Sequence, residues 1–117
     1  ILITGGSGYK GSILIPKLLK KNHTIYNEDT NWFGNFLPKH KNLFNIKEDV
    51  RNFNFDIKKK IHAIIHLASI ANDPMADLDK NLSWEISLLG TKKLIEMAIK
   101  KKSKKIYLCI IRVRLWN

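Results

Sequence analysis

Residues 1–12 read Ile1-Leu2-Ile3-Thr4-Gly5-Gly6-Ser7-Gly8-Tyr9-Lys10-Gly11-Ser12, and this stretch decides the fold. An apolar run meets a glycine-rich bend that opens into a helical pattern, the strand–turn–helix arrangement that cradles the pyrophosphate of a dinucleotide. The glycines satisfy two overlapping spacings. Gly5, Gly8 and Gly11 fit G-x-x-G-x-x-G, while Gly6, Gly8 and Gly11 fit G-x-G-x-x-G. The first glycine allows a sharp turn, the second removes a Cβ where phosphate approaches, and the third lets helix and strand pack closely. Unpaired N–H groups at the start of the helix then face the phosphate charge. A plain tight turn uses the same residues, so the reading depends on the strands and acids further along the chain.

From Tyr9 to Lys21, Leu14, Ile15, Leu18 and Leu19 repeat at helical spacing with lysines opposite, and Asn22-His23 closes the helix. Pro16 lacks a backbone donor and is expected to kink or loosen it. Thr24–Asp29 reads as the second strand. It places Asp29 18 residues after Gly11, where an acid accepts hydrogen bonds from ribose hydroxyls; a solvated turn carboxylate is the alternative. No Arg follows the loop or this strand to meet a 2′-phosphate, which favours NAD over NADP.

The loop from Thr30 to Pro38 carries Trp32, Phe33 and Phe36 and is too aromatic for a passive linker. Leu43–Ile46 is a short third strand, followed by Glu48-Asp49-Val50-Arg51. Asp49 is placed either to accept from an adenine amino group or to pair with Arg51. Phe53 and Phe55 suit a short helix against the sheet. Ala63–Ala68 is a nearly continuous apolar strand, as in a parallel sheet covered on both faces; His66 within it reads as a hydrogen-bonded core histidine, with no metal partners spaced around it. Beyond Asp73-Pro74, Asn81 is a candidate N-cap for a helix to Lys101, with Trp84, Leu88, Ile95, Ala98 and Ile99 as its buried stripe. Lys105–Ile111 is the fifth strand, with Cys109 as a small buried hydrophobe. The alternation gives an α/β fold, an open parallel sheet with right-handed crossovers.

Composition agrees. The 117 residues suffice for one domain with an ordinary core, and 44% hydrophobic content is that of a globular chain. No apolar run approaches the ~20 residues of a membrane span. The chain opens without Met and runs straight into the glycine turn, so neither a signal nor a transit peptide is expected, and a start upstream of Ile1 stays open. The lone Cys109 suits a reducing compartment, the cytoplasm. The net charge of +11 is nearly all lysine, including the run from Lys100 to Lys105 broken only by Ser103. Only three Arg are present, and base readers favour Arg, so the lysines read as solvated surface, several near helix C-termini. A lysine-driven nucleic-acid binder is the lesser alternative.

With these pieces placed, the chain resembles the extended short-chain dehydrogenase/reductases, specifically the NAD-dependent epimerase/dehydratases of nucleotide sugars. The likeness runs from Ile1 to about Lys105 and rests on T-G-G-x-G-Y-x-G-S at Thr4–Ser12, the acid Asp29 with the segment to Asn35, D-[IV]-R at Asp49-Val50-Arg51, H-L-A-[AS] at His66-Leu67-Ala68-Ser69, and a partial N-V-x-G-T at Ser87-Leu88-Leu89-Gly90-Thr91. It implies a Rossmann-type doubly wound fold, here its N-terminal portion as a single NAD-binding domain over residues 1–117, incomplete at the C-terminus. It further implies NAD contacts from Gly5, Gly8, Tyr9, Lys10 and Gly11, from Asp29, from Asp49 and Val50, from Leu67, Ala68 and Ser69, and from Ser87. The intact enzyme of such a family takes a nucleotide-sugar substrate and forms a homodimer.

Departures bear on function. Lys10 replaces an apolar residue under the loop and has to snorkel outward or loosen it. Asn27 and Glu28 interrupt a strand expected to be apolar on both faces, at about 1–3 kcal/mol each if unpaired. In the family a Tyr-x-x-x-Lys pair starts the oxidation, the Lys lowering the tyrosine's pKa. None of Tyr9, Tyr26 or Tyr107 has Lys four residues later. The expectation is a cofactor-binding fragment without turnover of its own, with no catalytic and no metal-ligating residue; a non-catalytic NAD-binding interaction module is the alternative.

Overall fold

The apolar run ahead of the glycines forms β1 (Leu2–Thr4), in a computed structural model that describes residues 1–31, 34–51, 60–68, 81 and 88–108. It is followed by α1 (Tyr9–Lys20), β2 (Ile25–Asp29), β3 (Leu43–Lys47), β4 (Ala63–His66), α2 (Gly90–Lys100) and β5 (Lys105–Leu108). All pairings are parallel, in the order β3-β2-β1-β4-β5, so β1 lies at the centre and β3 and β5 at the edges of the described sheet. This is the Rossmann arrangement, whose strand order reverses between β1 and β4.

Successive strand residues face opposite sides of a sheet, and two cores result. Ile3 and Ile25 pack with Ile15 and Leu19 of α1 and with Leu43. Leu2, Tyr26 and Ile64 pack on the other face with Ile61 and with Leu94 and Ala98 of α2. Tyr26 also stacks on Phe44 of the edge strand, ring centroids 5.3 Å apart.

Helix α1 runs unbroken through Pro16. Its end is closed by Asn22 at φ 64°, a left-handed conformation that Asn tolerates, with the His23 N–H returning to the Leu18 carbonyl at 3.2 Å. The buried stripe of α2 differs from the expected one. Gly90, Leu94 and Ala98 face the sheet, while Leu88 and Ile99 are exposed. The cause is a contact distant in sequence: a Cβ on Gly90 would lie 2.8 Å from Val50 Cγ1, so only glycine lets α2 sit this close to the loop after β3. Asn81 is itself helical rather than a preceding cap. The short helix at Phe53 and Phe55, Trp84 and Cys109 lie outside the described residues, as does the fifth strand beyond Leu108. No described helix is long and apolar enough to cross a membrane.

Candidate functional site

The turn after β1 is built from glycines with different duties. Gly5 has φ +74°, a conformation costly for any residue with a Cβ. A side chain there would also strike the backbone of Ala68, 2.6 Å from its nitrogen, so the turn is seated against the segment leaving β4. The Gly5 N–H donates to the Glu28 carbonyl at 2.7 Å and the Leu67 N–H to the Thr4 carbonyl at 2.8 Å, extending the ladders on both sides of β1. A Cβ on Gly6 would collide with Asn27 Oδ1, and one on Gly11 with the Gly6 carbonyl.

Gly8 is the exception. Among the described residues, a Cβ built on it meets only the Gly5 carbonyl oxygen, at 3.5 Å. Packing among the described residues therefore does not explain glycine at this position, which opens α1 as an N-cap with no side-chain hydrogen bond to the helix. The first amides of a helix have no partner within it. Tyr9 and Lys10 follow, both exposed, so the lysine has taken the outward course and the loop beneath it is intact.

Asp29 ends β2 beside this turn. Its Oδ2 accepts from the Ser7 N–H at 2.9 Å and its Oδ1 from the Asn31 N–H at 2.8 Å. The first bond joins strand end to glycine turn across the sheet, which a simple turn carboxylate would not do. Each oxygen keeps acceptor capacity for a hydroxyl.

Asp49 realises its pairing alternative. Arg51 Nη2 donates to Oδ2 at 2.7 Å, Nε to Oδ1 at 3.0 Å, and the Arg51 N–H to Oδ1 at 2.9 Å. These hydrogen bonds hold its carboxyl below the usual range. Val50 is buried under Gly90, and Lys93 Nζ donates to the Arg51 carbonyl at 2.9 Å, so α2 clamps this loop from outside.

Deeper in the sheet, His66 fits the reading of a hydrogen-bonded core histidine. Nδ1 meets the Thr4 hydroxyl and Nε2 the Thr91 hydroxyl at 2.9 Å, and burial pushes its pKa down. Asn27 and Glu28 are both buried. Asn27 Nδ2 donates to Ser7 Oγ at 3.1 Å and to Asn45 Oδ1 at 3.0 Å. Glu28 Oε2 has no partner among the described residues, and burial, reinforced by the charges of Asp29, Asp49 and Glu48, pushes the carboxyl up to about 8.

The structure thus brings Gly5, Gly8, Tyr9, Lys10, Gly11, Asp29, Leu67 and Ala68 to the C-terminal ends of β1, β2 and β4, with Asp49 and Val50 in the loop beyond β3. Open α/β sheets bind ligands at this end, by the reversal of strand order. Ser69 and Ser87 lie outside the described residues. The sequence reading missed Ser7 and the use of Asn27. The available signal was an Asn pair, Asn27 and Asn45, placed to share one face of neighbouring parallel strands. Among the described residues no three His, Cys, Asp or Glu side chains gather as a metal site.

Comparison with known proteins agrees with this geometry. The model of the NAD dependent epimerase/dehydratase family matches residues 1–110. A Methanocaldococcus jannaschii protein, provisionally named UDP-glucose 4-epimerase, is 31% identical over 114 residues, which are 91% of this chain and 36% of that protein. The Bordetella bronchiseptica enzyme WbmG, solved with NAD and UDP, superposes with a TM-score of 0.80 at 28% identity, covering 92% of this chain and 36% of that one. An epimerase of Methanothermobacter thermautotrophicus reaches a TM-score of 0.83 at 21% identity over 92% of this chain and 33% of its own, a likeness of fold. The chain spans about a third of the length of these relatives. It belongs to the NAD dependent epimerase/dehydratase family.

Proposed function

We propose, with family membership as the premise, that this chain is the NAD-binding portion of an enzyme that epimerises or dehydrates a nucleotide sugar. The observation that carries the reading is Gly8, a glycine that packing among the described residues does not require, at the mouth of a helix with no side-chain cap. A diphosphate lying over it explains the missing side chain, since a Cβ would occupy the approach. The amides of Tyr9 and Gly11 supply donors at the positive end of the helix dipole. Asp29, already fixed by two backbone N–H groups, accepts from the adenosine ribose hydroxyls. Its charge opposes a 2′-phosphate, which favours NAD over NADP. Asp49 and Val50 border the adenine, and Leu67 and Ala68 line the far side of the crevice; the family pattern adds Ser69 and Ser87, which lie outside the described residues.

Bound NAD would supply hydride acceptance from a sugar carbon; the chain's own residues bind and orient it. No tyrosine here is followed by lysine at the fourth position, so the 117 residues alone are expected to bind without turning over. The substrate proposed for the longer enzyme is a UDP-sugar, by analogy with the relatives, in a cytoplasmic homodimer.

Calorimetry tests the reading. Wild type is expected to bind NAD, and Gly8→Ala to lose at least about tenfold in affinity, roughly 1.4 kcal/mol, with little change in thermal stability. No heat from folded protein at high NAD excess would overturn it. Steady product from NAD and UDP-sugars would overturn the expected lack of turnover.

A further inference from the structure

Ser7 stands between Gly6 and Gly8 at the tip of the turn, and its two polar groups are committed differently. Its N–H is donated to Asp29 Oδ2 and is unavailable to a ligand. Its Oγ accepts from Asn27 Nδ2 at 3.1 Å. A hydroxyl that accepts in this way still carries its own hydrogen, and that hydrogen meets no acceptor among the described residues.

Asn27 fixes this polarity. The residue is 1% exposed, and its Nδ2 gives its second hydrogen to Asn45 Oδ1 at 3.0 Å. Turning the amide over to offer Ser7 an oxygen would set that oxygen against Asn45 Oδ1 and would require the Asn45 amide to turn as well. Its Oδ1 occupies instead the space where a Gly6 side chain would be, and has no partner there.

We propose that Ser7 donates its hydroxyl hydrogen to a phosphate oxygen of the bound dinucleotide, with Asn27 as the positioning residue that turns it outward. This rests on the glycine turn holding a diphosphate. The turn gives up one amide to fix Asp29 and recovers a donor through the adjacent side chain. A hydroxyl donating to an anionic oxygen is among the stronger hydrogen bonds.

The experiment measures NAD and ADP binding to the full chain by calorimetry, and adenosine binding by saturation-transfer NMR. Ser7→Ala is expected to weaken NAD and ADP about tenfold or more and to leave adenosine unchanged. Ser7→Thr keeps the hydroxyl and restores most of the affinity. Asn27→Ala is expected to weaken ADP in the wild-type background and to add little to Ser7→Ala, which separates positioning from general destabilisation. Ser7→Ala protein that binds NAD and ADP as wild type does would overturn the inference and leave the diphosphate reading standing. Equal losses for ADP and adenosine would overturn it too, because the turn as a whole would then be at fault. Wild type that binds neither NAD nor ADP would remove both.

Discussion

Asn27 and Glu28 are neighbours in β2, both at 1% exposure, and they face opposite sides of the sheet. On the α1 side, Asn27 spends both amide hydrogens on Ser7 and Asn45. On the α2 side, Glu28 has Thr4 as its register partner on β1, whose hydroxyl is already engaged with His66. A neutral amide in a polar seam becomes a structural tie. A carboxylate among apolar neighbours and three other acids takes up a proton instead. What separates them is whether the strands alongside supply a partner on that face, not how polar the residue is.

The largest expected effect breaks this comparison at Glu28. Its carboxyl has an ordinary value of 4.5 and is raised to about 8 in the fold. Between those values the unfolded chain is ionised while the folded one holds its proton, so stability falls as pH rises. The full loss approaches about 5 kcal/mol at and above pH 8. Glu28→Gln is expected to abolish that slope in urea denaturation and to be the more stable protein at pH 8. A wild-type curve that is flat or rising between pH 6.5 and 8 would show that Glu28 finds a partner after all.

A second, smaller effect sharpens the contrast within the α2 face. His66 has a hydroxyl partner on each ring nitrogen, and its pKa is lowered from 6.5. Below 6.5 the unfolded chain therefore binds more protons, and His66 makes stability fall as pH drops towards its folded value. This opposes the Glu28 slope in the acid range, so the steepest net fall lies between about pH 6.5 and 8. His66→Leu is expected to cost about 2 kcal/mol at pH 7, since the fully buried Thr4 hydroxyl loses its partner. It should also remove the acid limb. A variant that keeps that limb would assign it to another group.

Much of this was legible in the chain. The glycine spacing, the helical repeat of α1 and the unbroken apolar strand at Ile64 are local patterns, and local patterns fix element type and the alternation that makes a parallel sheet. What could not be read depends on register. The buried face of α2 is set by Gly90 meeting Val50, a contact no periodicity in the helix reveals, and so Ile99 fell on the wrong side. Asn27 looked like a fault in β2 until pairing put Asn45 beside it. Lys10 looked like strain, but the helix start lifts it into solvent. At the site, Asp29 was placed by its distance from the glycines, whereas Ser7 gains its meaning only from the two groups of β2 that hold it.

The smallest expected effect concerns Asp49, a carboxylate whose partner lies on its own loop. Arg51 donates to both oxygens, and the side chains are 29% and 17% exposed for Arg51 and Asp49. Such a pair contributes little, so Arg51→Met is expected to cost less than about 1 kcal/mol at neutral pH. Its contribution is present above pH 3.8, is lost as pH falls through the depressed value of Asp49, and is diminished by salt. The same variant decides what the loop does for a ligand. With three Arg51 donors crowding its oxygens, Asp49 has little acceptor capacity left for an adenine amino group. If the aspartate is the adenine contact, Arg51→Met binds NAD at least as tightly as wild type; weaker binding would mean that the guanidinium itself borders the base.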